Sequence, residues 1–463
     1  MFDQICWPSQ SENKGEDGSS TATKSSSSVS VIDDIDDEEL LVSPFIAYED
    51  GYNWPSAYTE IDEMMEACIL IYPLAELRRQ VRDKEMEDTT GLILQTPLTR
   101  SQIMDVIETN EEAITKASSK FGDEFYRDVL KTVQERNMVA KARAESRKSG
   151  HTVHITAASI IAFDDKFEQE ELVYSIEADV IRKRITVCFR GSVTKLDWAT
   201  DFEIYMKDVS NPLQSHISQE PTIRVHHGFH DYLFGPSSRG AKGPNGEDLS
   251  EYQEIMQQHV LPVLKQYPGF KLYVTGHSLG AALATLFAFE AAAEPDTHVP
   301  KPVSLFSIAG PYVGDESFRS AHQLLESLGK LRHIRVSNHK DLVTIVPKVS
   351  WRFNVFGTNS HVGALFKHVG VNLRFYEGTT TPVEISYPRV RSGFFSSTFD
   401  ELARGWDQSY FSNISWNPMA HRPFHGLREY NKRLEANKSL LEQTYVNDLY
   451  ARKNVVGNLV PHF

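Results

Sequence analysis

Two periodicities divide the chain. From about residue 59 to 146 the apolar positions recur at helical spacing; Phe125, Val129 and Val133 fall every four residues, as one buried stripe should. Thr99-Arg100-Ser101-Gln102 has capping-box spacing ahead of Ile103, Val106 and Ile107, which predicts a helix start there. After about residue 152 the pattern changes to short apolar, β-branched runs. Residues 171–176, 184–189, 270–274, 303–308 and 331–336 read as strands. Long helical patterns separate them, notably Leu279–Ala293 and Ser317–Leu328. Strands alternating with helices predict an α/β fold, with a mostly parallel central sheet flanked by helices.

Charge sharpens the division. The 463 residues carry a net −15, and residues 1–40 alone hold ten acids and two lysines, leaving −7 for the rest. That stretch is also Ser-rich, so residues 1–58 are expected to form a disordered acidic leader. Residues 59–150 are then a helical N-terminal extension packed on the core, with no recognisable chemistry of its own. Residues 151–463 form the main domain. The acidic balance argues against a nucleic-acid partner. No run of 18 apolar residues occurs, so no transmembrane segment is expected. Met1–Cys6 has an acid where a secretory leader carries positive charge, so the expected localisation is cytoplasmic. The three cysteines, Cys6, Cys68 and Cys188, lack metal-site spacing. His226, His227 and His230 lie close together without the ligand pattern of a zinc site. Neither metal nor organic cofactor is expected.

The chemistry centres on Thr275-Gly276-His277-Ser278-Leu279-Gly280. A strand ends, Gly-x-Ser-x-Gly follows, and a helix begins, which is the setting a nucleophile elbow needs. A serine hydroxyl needs a base, and the base needs an orienting acid; in such a fold they follow in the order serine, acid, histidine. Asp341 stands just beyond the strand 331–336. Five histidines come after it: His361, His368, His421, His425 and His462. His425, at the junction with the helical run from Leu427, is the leading candidate. His368 reads as a strand residue with a structural hydrogen bond, and His421 lies only four residues from His425. A tetrahedral oxyanion needs N–H donors already in place. Leu279 after the nucleophile would supply one, and Ser192 in the turn of Phe189-Arg190-Gly191-Ser192 the other.

Several blocks taken together resemble the class 3 lipases. They are Phe189–Ser192 with Asp197-Trp198 and Asp201, Val225–Phe229, Gly276–Gly280, Ile308–Asp315, Asn338–Pro347 and Phe424–Tyr430, in family order over about 152–435. The resemblance implies an α/β-hydrolase core and hydrolysis of acylglycerol or related lipid esters at a lipid–water interface. Peripheral association with membranes or lipid droplets would follow. It carries Ser278, Asp341 and His425 over as the triad, and Ser192 with Leu279 as the oxyanion hole. His368 falls on a family position that is not catalytic. A lid is implied at about 194–205. The chain departs from the family in having Gly280-Ala281 where Gly-Gly is usual. The aromatic-rich segment 381–420 is expected to be either a lipid-facing flap or core.

Overall fold

The computed structural model describes residues 52–121, 125–147, 158–165, 172–192, 205–216, 219–237, 240–346, 365–377, 383–387 and 422–456. All of these fall in one compact unit, Ser43–Phe463. The acidic leader, the lid at about 194–205 save Tyr205, and segment 381–420 save 383–387 lie outside the described residues. So do His361, His421, His462 and Cys6.

Four helices open the described chain: α1 (Ala57–Arg82), α2 (Arg100–Thr109), α3 (Glu111–Phe121) and α4 (Phe125–Arg147), with strand β1 (Leu98–Thr99) before α2. The capping box forms as its spacing predicts. Thr99 Oγ1 accepts the Gln102 amide, and Gln102 Oε1 accepts the Thr99 amide. Strands β2 (Ala158–Asp164), β3 (Tyr174–Asp179) and β4 (Arg184–Phe189) follow, then the hairpin β5 (Met206–Ser210) and β6 (Thr222–His226). Helix α5 (His227–Phe234) leads to α6 (Glu251–Glu254) and, after a π-helical turn, α7 (Leu261–Gln266). The core then alternates β7 (Lys271–His277), α8 (Leu279–Ala293), β8 (Val303–Ile308), α9 (Glu316–Ser327) and β9 (Leu331–Asn338). It ends with β10 (Val371–Phe375), β11 (Glu384–Ser386), α10 (Arg422–His425), α11 (Leu427–Ala436), α12 (Lys438–Leu441) and α13 (Val446–Val456).

Nine strands form one sheet in the order β1-β2-β3-β4-β7-β8-β9-β10-β11. Pairings from β4 to β10 are parallel, and both edges are antiparallel. The sheet is therefore parallel at its centre, where helices fill the crossovers from β4 to β9 and both faces are covered. Strand alternation sends successive side chains to opposite faces. Ile185, Val187, Leu272 and Val274 enter the apolar cluster that holds α5 and α8. Cys188 and Tyr273 enter the other cluster, with α1, α4 and α11. Two helical layers thus sandwich one sheet.

Helix α1 crosses its face with a charged stripe. Glu60 pairs with Arg332 at the start of β9 at 2.5 Å, and Glu63 with Arg184 at the start of β4 at 2.6 Å. Glu66 pairs with Arg100, and Asp62 with Arg136. Buried charges persist only when paired and hydrogen-bonded, so the Glu60 and Glu63 pairs fix where along the sheet α1 sits, while Arg100 and Arg136 tie it to α2 and α4.

Candidate active site

Ser278 occupies the turn between β7 and α8 with φ 60° and ψ −126°, a conformation that strains any side-chain-bearing residue. Its amide donates to Ile308 O at 3.0 Å, which pins the turn to the end of β8. The flanking glycines are required by space. A Cβ on Gly276 would run into the carbonyl of Gly280, and one on Gly280 into the carbonyl of Phe189. Two further non-glycine residues with positive φ, Ala309 (55°) and Lys340 (72°), follow the ends of β8 and β9. Backbone strain therefore gathers along one rim, at the carboxyl ends of three successive parallel strands, where ligand sites of α/β sheets lie.

On this rim the structure brings Asp341 and His425 together. His425 Nδ1 lies 3.1 and 3.0 Å from the two carboxylate oxygens of Asp341. Asp341 is fully buried and further held: Val343 N–H donates to Oδ1 at 3.0 Å, and the Tyr430 hydroxyl donates to Oδ2 at 2.7 Å. Tyr430 in turn accepts the Asn338 amide at 3.0 Å, so the tyrosine ties α11 to the end of β9. Asn338 also donates from Nδ2 to Phe424 O at 2.9 Å. The main chain just before His425 is thereby fixed against the same strand.

The neighbour of the serine links the two halves. The rings of His277 and His425 are 4.7 Å apart, and His277 Nε2 lies 3.0 Å from His425 O. Burial, together with the nearby His425, holds His277 well below the usual imidazole range, so it is neutral. On the other side lies the turn after β4. A Cβ on Gly191 would come 3.1 Å from Ser278 Cβ, which sets Gly191-Ser192 directly beside the serine. Leu279, the first residue of α8, presents one of the N–H groups that a helix start leaves without an intrahelical acceptor. Its helix adds about half a positive charge at that end.

His368 is elsewhere: its Nε2 lies 2.6 Å from Thr344 O and its ring stacks on Tyr312. His227 and His230 both contact Asp231, which also takes Lys207, so these histidines belong to a surface cluster of hydrogen bonds. Two further side chains, Tyr430 and Tyr72, border the site. Tyr430 was within reach, since it closes the Phe424–Tyr430 block. Tyr72, from α1, lies 3.0 Å from Gly191 N and 2.9 Å from His277 Nδ1, and nothing in its helical context marks it.

A mixed sheet with a strained serine at a strand–helix elbow, and an acid–histidine pair on the same rim, is the architecture of the α/β-hydrolase fold. Residues 186–351 match the profile of the family "Lipase (class 3)". A rice protein named phospholipase A1-II 6 is 32% identical over 174 residues, covering 36% of this chain and 41% of that protein. An Arabidopsis thaliana protein named phospholipase A1-Igamma3, chloroplastic, is 31% identical over 179 residues, covering 36% of this chain and 31% of that one. The chain thus spans less than half the length of these curated relatives. Among solved structures, lipase II from Rhizopus niveus is 22% identical with a TM-score of 0.36, covering 52% of this chain and 75% of that chain. A triacylglycerol lipase from Penicillium expansum is 17% identical with a TM-score of 0.34, covering 52% and 79%. No helix among the described residues is long and apolar enough to cross a membrane.

Proposed function

We propose that this protein hydrolyses carboxylic esters of acylglycerols through an acyl-enzyme on Ser278. The observation that carries the reading is the pair at 3.0 Å, His425 Nδ1 with the buried Asp341, on the rim where Ser278 strains its backbone. Asp341 fixes the imidazole with its proton on Nδ1, which leaves Nε2 as the base. His425 removes the hydroxyl proton as Ser278 attacks the ester carbonyl. The oxyanion rests on the N–H groups of Ser192 and Leu279. His425 then protonates the leaving alcohol, and water activated by the same imidazole releases the fatty acid. The lipid substrate is met at a lipid–water interface, without a membrane-spanning anchor in the described residues.

A second reading places the scissile ester in a phospholipid. It is favoured by relatives at 31–32% identity whose names are phospholipase A1. One experiment serves both. Purified protein and Ser278→Ala are compared on emulsified triacylglycerol, diacylglycerol and phosphatidylcholine, with released fatty acid as the readout. Ser278→Ala is expected to lose at least about 10³-fold in rate while keeping its thermal transition. Full activity in the variant would sink the assignment, and the preferred lipid decides between the two readings.

A further inference from the structure

Helix α1 carries one polar side chain under the rim. Tyr72 is 1% exposed, and its hydroxyl lies between Gly191 N at 3.0 Å and His277 Nδ1 at 2.9 Å. The proton positions follow from donor chemistry. A backbone N–H can only donate, so the phenol oxygen accepts from Gly191; a neutral His277 whose Nε2 donates to a carbonyl has a bare Nδ1, and this takes the phenol proton. His277 then carries its ring proton on Nε2, which donates to His425 O at 3.0 Å, a carbonyl that can only accept. The bonds run in one direction, from the amide of the turn after β4, through phenol and imidazole, to the main chain of His425. Burial raises the Tyr72 phenol above its usual range and, with His425, lowers His277, so both groups are in the neutral form this chain requires.

We propose that Tyr72 is a positioning residue for the oxyanion turn, supplied by a helix that lies outside residues 186–351; this rests on the reading of Ser192, Ser278 and His425 given above. Gly191 is threaded between the phenol and the elbow: a Cβ there would come 2.5 Å from both Tyr72 Oη and His277 O, and 3.1 Å from Ser278 Cβ. Glycine is the most permissive residue in the chain, so a turn built on it is not held by its own backbone preference. The hydrogen bond to Tyr72 fixes the Arg190–Gly191 peptide plane. That restricts the next plane, whose N–H belongs to Ser192. Donors aimed in advance stabilise an oxyanion without reorganising during the reaction. Tyr72 touches neither substrate nor the reacting atoms, and acts through the turn on one side and through His277 on the other.

The test is Tyr72→Phe in the full chain, which keeps the ring and removes the hydroxyl. With a soluble nitrophenyl ester, kcat is expected to fall about ten- to hundred-fold, less than or equal to the loss of a whole oxyanion donor, with KM within about twofold. Affinity for a trifluoromethyl ketone, whose adduct carries the oxyanion, falls by the same factor. Nitrogen NMR of His277 gives a readout independent of turnover, because Nδ1 loses its proton donor and shifts. Ile71→Val, a buried truncation in the same helix, lowers Tm while leaving kcat unchanged, each variant being assayed well below its own transition. Tyr72→Phe with kcat and ketone affinity within about twofold of wild type would overturn the proposal. Wild-type protein whose Ser278 fails to react with a fluorophosphonate would instead overturn the reading of the site itself.

Discussion

Helices α1 and α8 cover opposite faces of the same sheet and are buried by opposite means. In α8 every residue except Glu290 and Ala293 is buried, and nearly all are Ala, Leu, Phe or Gly. Helix α1 also buries most of its length, yet Glu60, Glu63, Glu76, Arg78 and Gln80 are among the buried side chains. Helix α8 is held by transfer of apolar surface from water, which any close-packed neighbour satisfies. Helix α1 is held in addition by partners at fixed places. Its acids meet arginines at the amino ends of β4 and β9, and nearer its middle Tyr72 meets the rim at the carboxyl ends. One face of the sheet supplies cohesion; the other also sets register.

The strongest way to break this contrast is at Glu60. Its Oε1 accepts from Arg332 at 2.5 Å and from the Tyr273 hydroxyl at 2.6 Å, with all three residues essentially inaccessible to solvent. Glu60→Ala leaves a buried guanidinium without its counter-charge and is expected to cost about 3–5 kcal/mol in denaturant unfolding. Replacing the trio together (Glu60→Leu, Arg332→Met, Tyr273→Phe) is expected to recover more than half of that loss. A single-variant cost below about 1 kcal/mol would show that α1 is held by its apolar side chains alone.

On the α8 face the matching variant is Leu283→Ala. The residue is fully buried in the apolar cluster, so the loss combines transfer and cavity terms at about 3 kcal/mol. No second substitution on a partner relieves it unless it refills the volume. Chemical denaturation of the two series separates the faces: recovery in trans on one, none on the other.

The two helices were unequally legible in the sequence. The run Leu279–Ala293 reads as a helix because its apolar residues are contiguous, and the structure returns the same bounds. Strands 184–189 and 303–308 are likewise recovered to the residue, because β-branched runs bounded by turns carry their own signal. The antiparallel edges are less visible, since pairing direction depends on connections rather than on composition. The elbow was legible because its glycines answer a local clash. The buried partners of α1 were not: Glu60 and Arg332 are 272 positions apart, and no periodicity joins them. Tyr72 fails for the same reason, being one aromatic among apolar neighbours until the fold sets it beside Gly191.

A pH series sharpens the contrast at smaller energy. Burial first, with added help from a neighbouring cation or imidazole, lowers His277 and His368 well below the usual range and His226 to about 3. The unfolded chain protonates such groups below about pH 6.5 while the fold does not, so their stabilisation is present above that pH and lost as pH falls. Glu290 of α8 has the opposite sign. Burial and Glu294 raise it to about 7, so between about pH 4.5 and 7 the fold binds the proton and its contribution is lost as pH rises. Each unmatched proton is worth about 1.4 kcal/mol per pH unit. Stability is therefore expected to fall from pH 6.5 to 5, and Glu290→Gln to steepen that fall. On the α1 side, Glu63, which burial alone would push up, is brought below the usual range by Arg184 and Arg182, so it adds nothing over this window. An unchanged slope in Glu290→Gln would remove the acid of α8 from the balance.

The smallest expected effect lies where α2 begins, at the edge of the α1 layer. Thr99 Oγ1 accepts the Gln102 amide and Gln102 Oε1 accepts the Thr99 amide, so two of the donors a helix start leaves unpaired are satisfied reciprocally. Both side chains are solvent-accessible, so Thr99→Ala removes a cap without opening a cavity. The expected cost is about 1 kcal/mol. The Gln102→Ala variant costs less, because water can replace its solvent-accessible Oε1 as acceptor for the Thr99 amide and hydroxyl. Neither change touches an α1 acid, so the Glu60 and Thr99 effects should add within about 0.5 kcal/mol in the double variant. A larger coupling would mean that α2 and the buried pair of Arg100 with Glu177 transmit the cap to α1, and that the charged face responds as one network rather than as separate clamps.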